Sequence, residues 1–416
     1  MLPLESLPAQ ACGKGVTWLE GVKVLDLTTS IAGPVATMLL ADLGADVLKV
    51  ERPGGGDDTR HWGPPDLDGE SLWFLSANRN KRSVVLNFIA PAGRRVLEQL
   101  IERADVVVVN NILRTQQKLG IDYESMIKIN SKLVFVSITG FGLTGERANW
   151  TCYDLIAEGY SGIMDLTGEP DSAPQKIGAP AADMLAAVDA AYATVGALFD
   201  VMRTGRSHKL DISLVGSMTR FLSPRIMSYL GSGEVPRRSG GTDSVIAVYQ
   251  AFDTADYPIT LGLGNDGIWK RFWKVLGLPE KAKDSSRGNN ADRRAQRAAI
   301  VNEIQEVLIS QPRSHWLDLF RGSGIPAGPI NSVDQLVEDE YFQANGMFYK
   351  VANGSSTIPQ VGSAMRLDDS AETLRSLPPR LGQHTGEVLQ SLGYGQSEIH
   401  QLCEDGVIEI FQPVTQ

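Results

Sequence analysis

One carboxylate in the chain is placed where it could act as a nucleophile. Asp183 lies in the stretch GAPAADML, at the start of an Ala-rich segment, residues 182–205, whose composition predicts a long core helix. An acidic residue in a first helical turn usually complements the helix dipole. The same position favours the ionised carboxylate that nucleophilic attack requires. On the residues alone, helix capping is the favoured interpretation of Asp183.

Three short cationic clusters indicate an anionic ligand. Arg52 is followed by three glycines, which let a backbone approach a ligand closely, and further clusters lie in NRNKRS (78–83) and in ILRTQQKLG, which contains Arg114 and Lys118. The 416-residue chain has 39 Lys and Arg against 49 Asp and Glu, a formal net charge of −10, which disfavours general binding to nucleic acid or to an anionic membrane. An anionic ligand must therefore meet a local cluster, although each cluster taken singly is also compatible with a solvated surface.

Other familiar site patterns are weak or missing in the sequence. The five histidines are isolated and the three cysteines lack Cys-x-x-Cys spacing, so we expect no metal site, no disulfide framework and a reducing compartment. The sequence contains neither a Gly-x-Ser-x-Gly elbow nor a P-loop. GLGNDG, residues 262–267, matches the dinucleotide pattern, but no second strand with an acidic end follows it, so we interpret it as a tight turn.

The elements that must position these residues alternate between strand and helix. Continuous apolar runs indicate strands buried on both faces, and amphipathic segments between them indicate helices. The predicted strands are VKVLDLT (22–28), ADVLKVE (45–51), DVVVV (105–109) and LVFVSITG (133–140), and the predicted helices are 33–44, 91–104 and 182–205. This alternation predicts an α/β fold with a Rossmann-like parallel sheet.

A change in composition near residue 230 predicts two domains. GSGEVPRRSGGTDS (231–244) has four glycines and a proline and is expected to be a linker or mobile loop. We expect a large domain over 1–225, completed by about 340–416, and a smaller α/β domain over 226–339.

The sequence has no run of 18–20 uninterrupted apolar residues, so no membrane association is expected. The first twenty residues resemble neither a secretory signal nor a mitochondrial presequence, which leaves a cytoplasmic or mitochondrial matrix location undecided.

Motifs along nearly the whole chain resemble those of the class III CoA-transferases, which include formyl-CoA, carnitine and glutarate CoA-transferases. The segments that carry the resemblance are, in chain order, LEGVKVLDLTTSIAGPVATMLLADLGADVLKVERPGGGDDTR, LSANRNKRSVVLN, SITGFG, YDLIAEGYSGIM, TGEPDSAPQKIGAPAADMLAA and LGQHT. The segments DDTRHWGPP, YQAF and LFRGSGIPAGPINS are most similar to the branch that acts on dicarboxylates, of the succinyl-CoA:glutarate type.

The resemblance implies roles for particular residues. It matches Asp183, five positions after Gly178, to the family's nucleophile, which reverses the capping interpretation. It implies that Gly240 and Gly241 form a mobile glycine loop over the active site, and we expect Arg60 to pair with a distal carboxylate and Tyr153 to contact substrate. It further implies that the CoA site is lined by Ser30, Ile31, Ala32, Arg52, Leu86, Asn110 and Lys118.

The resemblance also implies an activity and an assembly. It implies transfer of CoA from an acyl-CoA, of which succinyl-CoA is the leading candidate, to a dicarboxylate such as glutarate or itaconate, through an aspartyl anhydride and an aspartyl-CoA thioester. CoA thioester is then a substrate, and no permanently bound cofactor is expected. The partners expected are the acyl-CoA, the carboxylic acid and a second copy of the chain in an interlocked homodimer.

An isomerase of the α-methylacyl-CoA racemase type is the alternative within the same superfamily. Racemases have Gly-His-Asp where this chain has Cys152, Tyr153 and Asp154, so one of the two proton-exchanging groups is missing and transfer is favoured. Formyl-CoA transferase has a glutamine at the position of Ile31. Because isoleucine cannot hydrogen-bond a developing oxyanion, we do not expect a site specific for formate or oxalate.

Overall fold

The computed structural model describes residues 3–354, 356–366 and 373–412, which form two compact units. The first unit contains the described residues up to Ser161, then Gly178–Ser223 and the described residues from Val337 onward, and the second contains Gly162–Ile177 and Pro224–Leu336. The expected domain limits therefore need one correction, because residues 162–177 belong to the second unit. Hydrogen bonds hold them there: Gly240 N–H donates to Gly168 O at 3.0 Å, and Arg238 pairs with Asp165 at 2.8 Å.

The bounds of the regular elements in the described residues are as follows. The strands are β1 Ala9–Gln10, β2 Lys23–Asp26, β3 Asp46–Glu51, β4 Asp66–Leu67, β5 Glu70–Ser71, β6 Lys81–Leu86, β7 Val106–Val109, β8 Val134–Thr139, β9 His208–Ser213, β10 Tyr249–Phe252, β11 Ile259–Gly262, β12 Ala327–Pro329, β13 Phe348–Asn353, β14 Ser356–Val361 and β15 Ile408–Glu409. The helices are α1 Ala32–Asp42, α2 Leu72–Ala77, α3 Pro91–Glu102, α4 Leu113–Leu119, α5 Tyr123–Met126, α6 Asp154–Ser161, α7 Ile163–Leu166, α8 Ala181–Thr204, α9 Leu214–Phe221, α10 Ser223–Ser232, α11 Asp266–Val275, α12 Asn290–Ala295, α13 Arg297–Leu308, α14 Arg313–Gly322, α15 Val333–Glu338, α16 Glu340–Ala344, α17 Thr385–Ser391 and α18 Gln396–Glu404.

A seven-stranded sheet forms the body of the first unit. Its spatial order is β15-β6-β3-β2-β7-β8-β9, and all neighbours run parallel except β15, which pairs antiparallel with β6. Numbered along the chain, the six parallel strands have the order 3-2-1-4-5-6 of a doubly wound dinucleotide-type fold. The predicted α/β class is confirmed, and the fully buried run Val106–Val109 shows why the apolar stretches predicted it.

Helix α8 carries Asp183 in its first turn and ends at Gly205, which has a φ of +69°. Its alanine-rich face is buried, whereas its other face is exposed. The prediction of a core helix therefore holds for one face only. By length and composition α8 would also be long and apolar enough to cross a membrane, but this is weak evidence, because core helices of globular domains pass the same test.

The second unit has a small antiparallel sheet of order β10-β11-β12 and an aromatic core that includes Trp269, Phe272 and Trp273. GLGNDG is the connection from β11 into α11, where the Asn265 side chain accepts a hydrogen bond from Ile268 N–H. Because the sheet around β11 is antiparallel, it cannot form the βαβ unit of a dinucleotide site. The interpretation of this glycine pattern as a turn agrees with the structure.

Candidate active site

A cavity of about 360 Å³ lies at the carboxyl ends of β2, β7 and β8 in the first unit. The chain order reverses between β2 and β7, and such a switch point is where open parallel sheets bind their ligands. The cavity is lined by Thr29, Ser30, Ala32, Asp58, Trp62, Asn110, Asn111, Ile112, Thr115, Ile138, Thr139, Gly140, Thr151, Cys152, Tyr153, Asp183 and Leu214. The structure thus brings five predicted site residues together, namely Ser30, Ala32, Asn110, Tyr153 and Asp183.

Asp154 performs the capping role that the sequence suggested for Asp183. Pro180, at the N-cap of α8, has no side-chain acceptor, and the Asp154 carboxylate accepts instead from Ala182 N–H at 2.8 Å and from Asp183 N–H at 3.3 Å. The carboxylate of Asp183 itself lines the cavity. Two acidic side chains therefore share the beginning of one helix, and one of them is available to a ligand.

This arrangement corrects the expectation that the helix terminus keeps Asp183 readily ionised. Burial raises the pKa of Asp183, and the negative charge of Asp154 raises it further, to about 7. Burial and a like charge thus outweigh the favourable helix dipole, and Asp183 titrates near neutral pH. A titratable group shifted this far inside a cavity is typical of a functional site.

Cys152 lies in the same cavity as a neutral thiol. Burial, together with the charge of Asp183, raises the pKa of Cys152 to about 11. Gly140 permits this placement, since a Cβ built there would lie only 2.1 Å from the Cys152 Cβ. Because the thiolate is the reactive form of cysteine, Cys152 is a poor nucleophile at neutral pH.

The predicted residue Asn110 supports the cavity wall through the backbone of Thr29. Its Oδ1 accepts from Thr29 N–H at 3.1 Å, and its Nδ2 donates to Thr29 O at 2.7 Å. Ser30, the next residue, has a φ of +69°, in the left-handed region that non-glycine residues rarely occupy. The wall is therefore held in a specific backbone shape by side-chain contacts.

Several other predicted ligand contacts are not brought to this cavity. Ile31 is buried at the N-cap of α1, and Leu86 is 1% exposed in the core between the sheet and the C-terminal helices. Leu86 points into that core because it lies two residues after Val84 on β6, and successive side chains of a strand alternate between the two faces. Arg52 is exposed and ion-pairs with Asp58, and Lys118 is exposed in the last turn of α4.

Arg60 is already neutralised by protein carboxylates. Its guanidinium donates to both oxygens of Glu51 at 2.8 Å, contacts Glu70 at 3.2 Å and lies 3.6 Å from the centre of the Phe74 ring. Only 5% of the side chain is exposed. The structure therefore argues against Arg60 as the partner of a substrate carboxylate.

Gly240 and Gly241 lie in the second unit. Gly240 has a φ of +58°, and a Cβ built there would lie 2.4 Å from the Glu169 carboxylate, so both its backbone and its surroundings favour glycine.

Among the described residues, no group of three or more His, Cys, Asp or Glu is placed to hold a metal ion.

Sequence reasoning missed much of the polar lining of the cavity. The missed residues include Thr29, Asn111, Thr115, Thr139 and Thr151. A signal for three of them was present, since Thr29, Asn111 and Thr139 each stand at or just after the end of a buried apolar strand. In a parallel sheet those positions meet at the ligand-binding edge.

A larger cavity, of about 750 Å³, opens at the amino ends of β3 and β6. Two of its arginines are ion-paired within the protein, Arg82 with Asp46 at 2.8 Å and Arg380 with Glu70 at 2.8 Å. A third, Arg375, donates to the backbone oxygens of Ala41 and Ala45. This cavity lies at the edge of the sheet opposite Asp183, its carboxylates Asp46 and Glu70 are the partners of these arginines, and burial raises the pKa of its Cys12 thiol. The smaller cavity is therefore the candidate active site.

Comparison with known proteins agrees with this geometry. The profile of CoA-transferase family III matches residues 19–385. The chain belongs to this family. It is 38% identical over 395 residues to succinyl-CoA:glutarate CoA-transferase of Mus musculus, covering 94% of this chain and 90% of that protein. It is 37% identical to succinate–glutarate CoA-transferase of Agrobacterium fabrum, covering 90% of this chain and 95% of the relative.

A solved structure of similar sequence shares the fold of this chain. A CAIB/BAIF family protein from Brucella suis superposes with a TM-score of 0.79 at 39% identity, covering 91% of this chain and 100% of that one. This member of CoA-transferase family III is thus an enzyme that transfers CoA between acids. The expectation drawn from the sequence motifs is confirmed at this level.

Proposed function

We propose that this family III enzyme transfers CoA from succinyl-CoA to a second dicarboxylate, such as glutarate or itaconate, with Asp183 as the acyl acceptor. The observation that carries the proposal is the carboxylate of Asp183, which lines the cavity at the switch point of the sheet and titrates near neutral pH. The names of the mouse and Agrobacterium relatives support the choice of dicarboxylates.

In the first half-reaction, a carboxylate oxygen of Asp183 attacks the thioester carbonyl carbon. The carbon–sulfur bond breaks, its electron pair leaves as CoA thiolate, and a mixed anhydride joins Asp183 to the donor acyl group. The thiolate then attacks Cγ of Asp183. The donor acid departs as a carboxylate, and Asp183 carries CoA as a thioester.

The second half-reaction runs these steps in reverse with the acceptor acid. Its carboxylate attacks Cγ of Asp183, expels CoA thiolate and forms a second anhydride. The thiolate attacks the acceptor's acyl carbon, which gives the new acyl-CoA and releases the Asp183 carboxylate. Asp183 must be ionised to begin the cycle, so protonation below its pKa suppresses the first attack.

A carboxylate suits this chemistry because an anhydride retains the activation stored in the thioester. The neighbouring Cys152 is kept protonated and does not compete for the acyl group. Water would hydrolyse either intermediate, so the cycle requires that water be excluded from the cavity while Asp183 carries an acyl group or CoA.

Trapping of the covalent intermediate tests the proposal. Incubation with succinyl-CoA followed by hydroxylamine should convert Asp183 to a hydroxamate, detected by peptide mass spectrometry. Asp183→Asn should give no adduct, whereas Asp189→Asn, on the same helix but paired with Arg220, should label normally. Exchange of the α-proton with deuterium, without an adduct, would indicate the isomerase instead.

We further propose that the enzyme is a homodimer and that the exposed face of α8 contacts the second copy. Apolar side chains follow this face at helical spacing, and Tyr192 and Met202 are 81% and 85% exposed. The full row is Met184, Val188, Tyr192, Val195, Phe199 and Met202. Tyr192→Glu should produce monomers in sedimentation analysis, whereas Tyr341→Glu, at another exposed tyrosine, should not; identical behaviour of the two variants would contradict the assignment.

A further inference from the structure

We propose that Lys49 and Asp57 are positioning residues for CoA, because their buried ion pair fixes the backbone of Thr28–Ser30, which forms one wall of the active-site cavity. This inference rests on the proposed location of CoA in that cavity. It assigns a role in substrate binding to two side chains that do not themselves line the cavity.

Both side chains are completely buried, and they hold the two ends of the wall segment. Lys49 Nζ lies 2.8 Å from Asp57 Oδ2 and donates to Thr28 O at 2.8 Å. Asp57 Oδ1 accepts from Ser30 N–H at 3.0 Å. Together with Asn110, which holds both backbone groups of Thr29, these side chains fix three consecutive residues.

The wall needs this support because of its backbone conformation. At a φ of +69°, Ser30 pays a steric cost that glycine would not, and the bond from its N–H to Asp57 opposes relaxation. The chain passes from Ser30 directly into α1, whose N-cap Ile31 forms no side-chain capping bond. A shift at Ser30 would therefore move Ala32 as well, and both residues line the cavity.

The pair works as a charged pair. Burial would lower the pKa of Lys49, but Asp57, Asp26 and Glu51 more than offset this and raise it. Burial would likewise raise the pKa of Asp57, but Lys49 and the N–H groups of Thr59 and Ser30 lower it. Both groups are thus ionised at neutral pH, and removal of one charge takes from the other the partner that lies 2.8 Å away in the interior.

A second buried ion pair in the same unit provides a matched control. Arg79 donates to both oxygens of Asp42 at 2.9 and 2.6 Å, with 5% and 2% of the two side chains exposed. Asp42 also accepts from Asn80 at 2.8 Å, and neither Asp42 nor Arg79 lines the candidate active site. Loss of this pair should affect folding without changing the cavity wall.

The experiment compares Asp57→Asn with Asp42→Asn in the full-length enzyme. Calorimetric titration should show CoA binding weakened by about tenfold in Asp57→Asn, with KM for succinyl-CoA rising more than kcat falls, since a wall-positioning bond is lost. Both variants should lower the thermal midpoint of unfolding by a similar amount, since each breaks a buried ion pair. The Kd of Asp42→Asn for CoA, however, should stay within about twofold of wild type. Equal Kd values for CoA in wild type and Asp57→Asn would overturn the proposal.

Two further variants keep the test decisive. Asp57→Glu is the variant to use if Asp57→Asn does not fold. It retains the charge but displaces the oxygen that accepts from Ser30, and it should also weaken CoA binding. Adding Ser30→Gly to either variant should restore part of the lost affinity, because glycine adopts the left-handed conformation without a Cβ. Normal activity of Asp183→Asn would reject the proposed function, whereas unchanged CoA binding in the Asp57 variants would reject only this inference.

Discussion

Two clusters of acidic residues in the first unit, one buried and one half-buried, differ in what surrounds them. Asp26 and Asp57 are matched by Lys81 and Lys49, and their pKa values are lowered by these cations despite burial. Asp183 is instead adjacent to Asp154, and burial and that charge raise its pKa to about 7. The first group, in which cations match the carboxylates, is a balanced cluster that holds the cavity wall through Asp57 and Lys49. The second, Asp183 with Asp154, is an unbalanced pair, and to this pair we assign the proposed chemical reactivity.

The largest effect is expected from Asp183→Asn. The amide cannot form the anhydride, so CoA transfer should fall by on the order of a thousandfold or more, measured by chromatography of the acyl-CoA products. The variant should remain folded, because the cap of α8 depends on Asp154. Retention of a tenth of wild-type activity would show that Asp183 is not the acceptor.

A change in the balanced cluster should instead destabilise the fold. Asp26 accepts from Thr28 and Thr37 hydroxyls and pairs with Lys81 at 3.1 Å, so Asp26→Asn leaves a buried cation uncompensated. We expect a loss of about 3–5 kcal/mol in the free energy of unfolding, measured by urea denaturation. Asp46→Asn, which breaks a partly exposed pair with Arg82, should cost less than about 1 kcal/mol and serves as the control.

Asp154→Asn removes one of the two like charges in the unbalanced pair. Asparagine still accepts from the α8 amides but carries no charge, so the pKa of Asp183 should fall. The acid limb of kcat/KM, expected near pH 7 in the wild type, should move to lower pH by on the order of one unit. An unchanged limb would mean that Asp154 does not control the ionisation of Asp183.

The smallest expected effect is on how the free energy of unfolding depends on pH. Because the pKa of Asp183 is raised in the folded state, the native protein binds more protons than the unfolded chain between about pH 4 and pH 7, and this group's contribution to stability declines as pH rises through that window. Asp183→Asn should therefore gain stability relative to wild type as pH increases from 5 to 8. The depressed pKa values of Asp26 and Asp57 act oppositely, since their contribution is lost on acidification.

Part of the site could be predicted because it depends on short motifs in chain order. Asp183, Ser30, Ala32, Asn110 and Tyr153 were named from the sequence, and the structure brings them into one cavity. Arg60 failed for a different reason. A sequence shows that an arginine is present but not that Glu51 and Glu70 already neutralise it.

Leu86 shows the same limit for an apolar residue. Most of β6 is buried, so its sequence does not distinguish its two faces. In the structure Leu86 lies on the face that packs against residues more than 300 positions later in the chain, such as Val388 and Leu402. Contacts of such separation leave no local periodicity from which they could be predicted.

The sequence by itself determined the parallel α/β fold, the family and the position of the proposed nucleophile at the start of α8, because apolar periodicity and ordered motifs are local properties. Only the tertiary structure decided which acid caps the helix, which arginine is already paired and where the pKa of Asp183 lies. Asp154 is 29 residues from Asp183 along the chain, and desolvation and Coulomb interactions depend on distance in space rather than on separation in sequence.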